Sequence, residues 1–305
     1  VAGRDARHLG AGDLGYALGP RLNAAGRLAD MAIGVRCLLA DTVPEAAALA
    51  GELDAFNRER REIERTMQEQ AADMLASLRL DGELAPGLCL FNPAWHQGVV
   101  GILASRVKER VHRPVIAFAS SGDGSLTGSA RSVAGVHVRD VLLAVADRCP
   151  GLIERFGGHA MAAGLKLREA DYPRFAAEFA AEVERVADPA ALRGTLDSDG
   201  ALAAAELTLE TALALEQGGP WGQGFPEPLF DGTLVVRERR VLGEAHLRLV
   251  LGVPGGGSVD AIAFNAVPEH LPDPGAELDL AYRVGVNRYR GSERLQLIVE
   301  HIASQ

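Results

Sequence analysis

Cysteine is scarce in this sequence: among 305 residues only Cys37, Cys89 and Cys149 occur, far apart and never as CxxC. An odd count at that spacing argues against a disulfide framework or a cysteine zinc site, and the three read as reduced core thiols. Lysine is scarcer still, with Lys108 and Lys166 the only two among 31 basic residues. Arginine therefore carries nearly all the positive charge; this fits a biased genome composition and also suits bidentate phosphate contacts. No apolar run approaches the ~20 residues needed to span a bilayer, and the first residues lack the basic-then-apolar pattern of a signal peptide. The expectation is a cytoplasmic chain with no membrane partner. The local signatures of catalysis are missing too. There is no Asp-His-His, HxD, HExxH, GxxxxGK(S/T) or GxSxG, so no recognisable metal, zinc-protease, nucleotide or serine-hydrolase centre is expected and no metal-ligating residue is singled out.

What is present is globular. With 48% hydrophobic and 24% charged residues over 305 positions, the chain can bury more than one core, and two domains are expected. The first residue is Val1, and VAGRDARHLGAGDLGYALGP carries neither a cap nor a strand signal. The start reads as a cut inside a longer protein. A formal charge of −10 argues by itself against a polyanionic partner, yet charge is unevenly placed. Residues 86 to 168 hold ten Arg and Lys against five Asp and Glu, so the middle of an acidic chain is locally basic.

From Glu52 to Leu78 there is no Gly or Pro, and Leu53, Phe56, Ile63, Met67, Met74 and Leu78 recur at helical spacing with Arg60 interrupting the seam. This predicts a long amphipathic helix, closed by turn residues at 80 to 87, that either faces a core or connects two domains. GLCLFN at 87 to 92 and PVIAFAS at 114 to 120 read as apolar strands around a helical VVGILASRVKERV, a β-α-β rhythm. SLTGSARS reads as a strand or turn, residues 138 to 149 as a helix, AAGLKL as a strand and YPRFAAEFAAEVERV as a helix, giving one α/β unit over about 86 to 190. Beyond Asp188-Pro189 the texture turns to β. Five short runs at 229 to 242, 245 to 253, 258 to 265, 276 to 287 and 293 to 302 suggest a small OB-type barrel. The predicted fold class is therefore α/β followed by all-β.

Four constellations suit an anionic ligand. In FGGHAMAAG, Gly157 and Gly158 let backbone approach a ligand and His159 supplies a donor, although a turn would use the same residues. In GSARS, Ser129 and Arg131 stand two apart, on one face if the segment is a strand, and hydroxyl beside guanidinium suits a terminal phosphate. In NPAWHQGVVGILASR, His96 and Gln97 precede a helix start whose free amides attract anions, while Trp95 suits packing. In GPRLNAAGRL, Arg21, Asn23 and Arg27 can reach phosphates or simply line a helix surface. Near the last barrel hairpin, Tyr282, Arg288, Tyr289 and Arg290 could stack bases and track phosphates, with packing the competing role for each tyrosine.

GPRLNAAGRL, WHQGVVGILASR, HRPVIAF, GSARS, FGGHAMAAG and GPWGQGFPEPLF, in this order and spacing, resemble RecJ-type single-strand-specific exonucleases of the DHH phosphoesterase superfamily, from about Asp13 to the C-terminus. GGHxxAAG alone marks the wider DHH-associated domain; the first and last segments are narrower. The resemblance implies residues 1–50 as the tail of the DHH catalytic domain, 51–80 as the connecting helix, 81–190 as the DHH-associated substrate-binding domain and 191–305 as an OB-type nucleic-acid-binding domain. It implies that Ser129 and Arg131 grip a 5′-terminal phosphate, that His159 completes the site, and that Arg21, Asn23 and Arg27 hold the strand, with His96 and Gln97 close by.

It further implies two-metal hydrolysis with Mn2+ or Mg2+ held by residues absent from this chain. The chain alone is then expected to be inactive. The implied partners are single-stranded DNA with a 5′ end, single-strand-binding protein and a RecQ-type helicase, acting with a monomer in DNA repair and recombination. Two other readings stay open: a non-catalytic single-stranded-DNA-binding module, and a phosphodiesterase for short RNA or cyclic dinucleotides.

Overall fold

Strand LCLF and strand VIAFAS are apolar at almost every position, the pattern of strands covered on both faces, whereas SLTGSAR alternates. In the computed structural model, which describes residues 2–4, 9–80, 84–222, 224–243, 246–264, 271–289 and 291–303, that difference decides where the sheet is open. The chain divides into two compact units, residues 13–194 and residues 195–305, each described here by itself.

A short helical turn α1 (Ala11–Asp13) leads through a π-helical stretch at Leu14–Leu18 into the first unit's α2 (Gly19–Leu28) and then α3 (Ala32–Leu39). The long helix α4 spans Val43–Leu80, so it starts nine residues before the expected Glu52. Pro44 sits at the start of the helix, where its missing N–H costs nothing, and Gly51 lies exposed in its interior with no atom within 4 Å of its Cβ position. A single exposed glycine costs roughly 1 kcal/mol and does not break a helix held by packing. Within the unit the helix packs on two apolar clusters. Leu53 packs with Ala25 and Ile33, and Met67, Ala71 and Leu75 pack with Trp95 and Leu103. Part of the predicted closing turn, residues 81–83, and the side chain of Leu78 lie outside the described residues.

Next come β1 (Leu88–Phe91), α5 (Val100–Val111), β2 (Val115–Ser120), β3 (Ser125–Arg131), α6 (Val138–Arg148), β4 (Arg155–Gly158), β5 (Ala162–Arg168) and α7 (Tyr172–Val186). They form one mixed sheet in the order β1-β2-β3-β5-β4, with β1 and β2 parallel as the β-α-β rhythm predicts. FGGH had no strand expectation; its first three residues end β4, paired antiparallel to β5 with Gly157 opposite Gly164. Glycine's low strand propensity hid it. One face of the sheet packs on α6 and α7 through Phe118, Leu126, Leu165 and Phe175. The other packs α5 and α4 over β1 and β2 through Leu90, Leu103 and Ala117. Each large side chain so buried contributes roughly 1.5–3 kcal/mol.

The second unit holds α8 (Leu209–Gln217), which sequence patterning did not separate from the small-residue stretch before it, and a closed barrel. Its strands are β6 (Phe230–Leu242), β7 (His246–Gly252), β8 (Ser258–Ala263), β9 (Glu277–Tyr289) and β10 (Ser292–Ile302). The β9–β10 pair is antiparallel and β10 closes on β8 in parallel, which is the OB arrangement of five strands. An α/β region followed by a five-stranded barrel is the fold class expected from the sequence.

Candidate functional site

The alternation along β3 sends Leu126, Gly128 and Ala130 into the core and leaves Thr127, Ser129 and Arg131 on the opposite face. There the Arg131 guanidinium donates to the Ser129 hydroxyl at 3.2 Å and to the Ala130 carbonyl at 2.8 Å. The first turn of α5 lies directly against this pair: a Cβ built on Gly101 would stand 3.0 Å from both Arg131 Nη2 and Ser129 Oγ. Glycine at this position keeps the hydroxyl and guanidinium accessible. The start of α5 also has no side-chain cap, and uncapped amides at a helix N-terminus carry partial positive charge.

The second guanidinium comes from far away in the chain. Arg27, at the end of α2, donates to the Gly98 carbonyl at 3.2 Å. A Cβ on Gly98 would collide with the carbonyl oxygen of Arg27, so Gly98 is what allows the end of α2 to meet the approach to α5. Among the described residues neither Arg27 nor Arg131 has a carboxylate within ion-pair distance, whereas Arg60 is matched by Glu64 at 2.7 Å. Burial first, and then the charge of Arg27, lower the pKa of Arg131; burial also dominates the lowering at Arg60, where Arg27 contributes again. Positive charge is thus concentrated beside a hydroxyl and an uncapped helix start with no internal anion to satisfy it. Such an arrangement binds phosphate.

The other expected residues are distributed unevenly around this centre. His96 is exposed and accepts the Gly98 N–H on Nδ1 at 3.1 Å, which leaves Nε2 to donate. Gln97 is tied to the Ser120 carbonyl at 2.8 Å. Asn23 is exposed on α2. Arg21, from the same motif as Arg27, is occupied elsewhere: it pairs with Asp54 at 2.9 Å and donates to the Ala17 carbonyl, which fastens α2 to α4. This corrects its reading as a free phosphate contact. His159 is exposed at the β4–β5 turn, its N–H bonded to the Ala162 carbonyl. Since Ala162 is the cross-strand partner of Arg131, His159 lies at the Arg131 end of the sheet, about 10 Å away at two strand spacings.

The glycines of this region divide into two kinds. Gly158 has φ +151° and a Cβ there would collide with the Ala162 carbonyl, so the fold itself requires it. Gly157 has nothing within 4 Å of its Cβ position and Gly164 nothing closer than 3.9 Å, and neither has a positive φ. Glycine inside a strand costs roughly 0.5–1 kcal/mol relative to alanine, and nothing in the chain requires either of these two.

Sequence patterning missed Gly98 and Gly101, whose signal was only their place within a longer motif. In the barrel, Tyr282 is 1% exposed and packs in the core near Phe230. This corrects its reading as a stacking platform, because strand parity turns it inward. Arg288 is on the surface but held by Glu216 at 2.6 Å and Glu293 at 2.8 Å, so its charge is already neutralised. Arg290 and the side chain of Tyr289 lie outside the described residues. Among the described residues no group of three or more His, Cys, Asp or Glu side chains could hold a metal ion.

Comparison with known proteins finds matches to both units. Residues 85–185 match the DHHA1 domain family and residues 198–301 match the RecJ OB domain. The single-stranded-DNA-specific exonuclease RecJ of Escherichia coli is 52% identical over 305 residues, covering 99% of this chain and 53% of that protein. Its Thermus thermophilus counterpart is 37% identical over 237 residues, 77% of this chain and 32% of that protein. The crystal structures of RecJ from Thermus thermophilus with Mg2+ and with Mn2+ both superpose with a TM-score of 0.77. They are 29% and 31% identical, cover 97% of this chain in each case, and are themselves covered to 44% and 42%. The chain spans about half the length of the curated relatives it matches most fully.

Proposed function

Because this chain belongs to the RecJ family and corresponds to its C-terminal portion, we propose that it holds the 5′-phosphorylated end of single-stranded DNA for hydrolysis by the intact protein, a 5′ to 3′ exonuclease. The observation that carries this reading is the half-buried Arg131 guanidinium beside Ser129, with Arg27 adding charge and no carboxylate paired to either arginine among the described residues. A terminal phosphate carries more negative charge than an internal one and offers three oxygens. It can accept from Ser129, from Arg131 and from the Gly101 N–H together, the Val100 and Ile102 N–H groups being bonded to the His96 and Val99 carbonyls. His159, His96 and Asn23 line the approach, and Gly157 and Gly158 keep it narrow-walled and free of side chains.

In this reading residues 1–50 are the tail of the catalytic DHH domain, 51–80 the connecting helix, 81–190 the DHH-associated domain and 191–305 the OB domain. The barrel binds the strand beyond the end. Mg2+ or Mn2+ serves the intact enzyme, but the described side chains of this chain do not fit a metal, and the roles derived for them are those of binding. Single-strand-binding protein and a RecQ-type helicase are the proposed partners, with a monomer acting in the cytoplasm in DNA repair and recombination. Among the described residues no helix is long and apolar enough to cross a membrane.

The test is direct. A fluorescent single-stranded oligonucleotide with a 5′-phosphate should bind this chain more tightly than the same strand with a 5′-hydroxyl, and the chain should leave it uncut. Equal affinity for the two ends would overturn the assignment of the phosphate pocket.

A further inference from the structure

We propose that Arg60 is a positioning residue for the phosphate site: by occupying the Glu64 carboxylate it keeps that anion from capturing Arg27, and so leaves Arg27 free for the terminal phosphate. The proposal rests on the phosphate-end reading above and adds a residue that acts through another. Arg60 is the charged residue that interrupts the apolar seam of α4, and only 11% of its side chain is exposed. A buried ion pair stabilises a fold no better than well-packed apolar side chains of similar volume. Packing alone therefore does not account for it.

The partners of Glu64 divide between its two oxygens. Oε1 accepts from Gln68 at 3.0 Å and lies 3.5 Å from Arg106 Nε on α5. Oε2 accepts from Arg60 Nη1 at 2.7 Å and, among the described residues, from no other side chain. Arg60 is itself fixed from its other side, since Nη2 donates to the Asn57 side-chain oxygen at 3.1 Å, and Asn57 is buried. One buried stretch of α4 thus holds a cation and a carboxylate that satisfy each other.

Arg27 stands within electrostatic reach of this pair. Leu28, the residue after it, and Ile63, the residue before Glu64, pack on one apolar cluster with Val99 and Leu103. Burial lowers the pKa of Arg60 most, and the charge of Arg27 adds to that lowering as it does at Arg131. Arg27 is exposed, and its hydrogen bond among the described residues is the one to the Gly98 carbonyl at 3.2 Å. A charge-assisted pair is about twice as strong as a bond between neutral groups. Without Arg60, Glu64 Oε2 would be a buried, charged oxygen lacking a donor, and Arg27 would leave its carbonyl for it. Gln68 and Arg106 remain on Oε1, and Arg61, exposed three residues before Glu64 on the same helix, is the competing cation.

The experiment measures binding of 5′-phosphorylated and 5′-hydroxyl dT octamers to the whole chain and to its R60M, R60Q and R60M/E64Q variants, together with each variant's Tm. Arg60→Met should lower the phosphate-to-hydroxyl affinity ratio about tenfold, the loss of one charge-assisted contact. Adding Glu64→Gln should return the ratio to within about twofold of the unmodified chain, because the coupled partner is gone. Both variants lack Arg60 and deprive Asn57 of it, so damage to packing is common to them and only the free carboxylate differs. Arg60→Gln offers Oε2 a neutral donor and disturbs the fold less, yet leaves the carboxylate charge unmatched; it should lower the ratio in the same direction and decides alone if R60M does not fold. A folded R60M or R60Q with the ratio of the unmodified chain overturns the proposal. A ratio lost equally in R60M and R60M/E64Q also overturns it, making Arg60 a structural residue and leaving the end pocket standing. Absence of any phosphate preference in the unmodified chain overturns the end pocket, and the positioning role with it.

Discussion

Replacing Arg131 by alanine should separate binding from stability. In the folded chain its guanidinium is partly desolvated, feels the charge of Arg27, and among the described residues has the Ser129 hydroxyl and the Ala130 carbonyl as partners. Removing it loses two hydrogen bonds to uncharged acceptors but also relieves a partly buried cation with no carboxylate beside it among the described residues, so Tm should move little. With a 5′-phosphate bound, the same guanidinium makes charge-assisted bonds worth about 2–3 kcal/mol in net terms, which corresponds to roughly 30- to 150-fold in Kd. Fluorescence anisotropy with 5′-phosphorylated and 5′-hydroxyl strands should show that loss for the phosphorylated strand alone. The slope of log K against log salt should also flatten by about 0.7, because one phosphate of the single strand is no longer neutralised. A variant that melts like the parent and keeps the parent's phosphate preference would refute the reasoning, because Arg131 is the guanidinium bonded to the Ser129 hydroxyl.

Three further outcomes follow from the same structure. Gly98→Ala should drive a methyl group into the Arg27 carbonyl and so displace the end of α2; the measurement is phosphate-dependent binding, expected to weaken at least fivefold with the OB barrel's own melting transition unchanged. Tyr282→Ala should cost about 3–5 kcal/mol of barrel stability as a buried aromatic, whereas Tyr282→Phe should bind single-stranded DNA like the parent, read by chemical denaturation and anisotropy. Glu182 is held at about 2, below its ordinary 4.5, first by its hydrogen bond to Arg185 and further by Arg148, against the opposing effect of burial. A depressed carboxylate stabilises the fold fully above its unfolded pKa, so this contribution should disappear as pH falls from 4.5 through 2. With both arginines partly in water, its contribution is about 1–2 kcal/mol. Denaturation of Glu182→Gln across that window should show a correspondingly weaker pH dependence.

Sequence patterning alone revealed most of the elements and the order of the motifs, because helical and strand periodicity are local properties. The apolar runs at 87 to 92 and 114 to 120 became β1 and β2, and the alternation in GSARS placed Ser129 and Arg131 together on β3. Where local signals were weak the reading stopped short: glycine hid β4, and Gly51 and Pro44 made α4 seem to begin late.

Tertiary structure decided which of the candidate groups share a site. Arg21 and Arg27 belong to one motif, yet long-range packing sends the first to Asp54 and the second to Gly98. Strand parity and barrel closure, which depend on register across non-adjacent segments, turned Tyr282 inward. Only the folded sheet showed that Gly101 makes room for Arg131, and that Gly157 and Gly164 serve no packing of their own. A sequence records which side chains are available; which atoms come within bonding distance depends on contacts between residues far apart in the chain, and those form only when the layers pack.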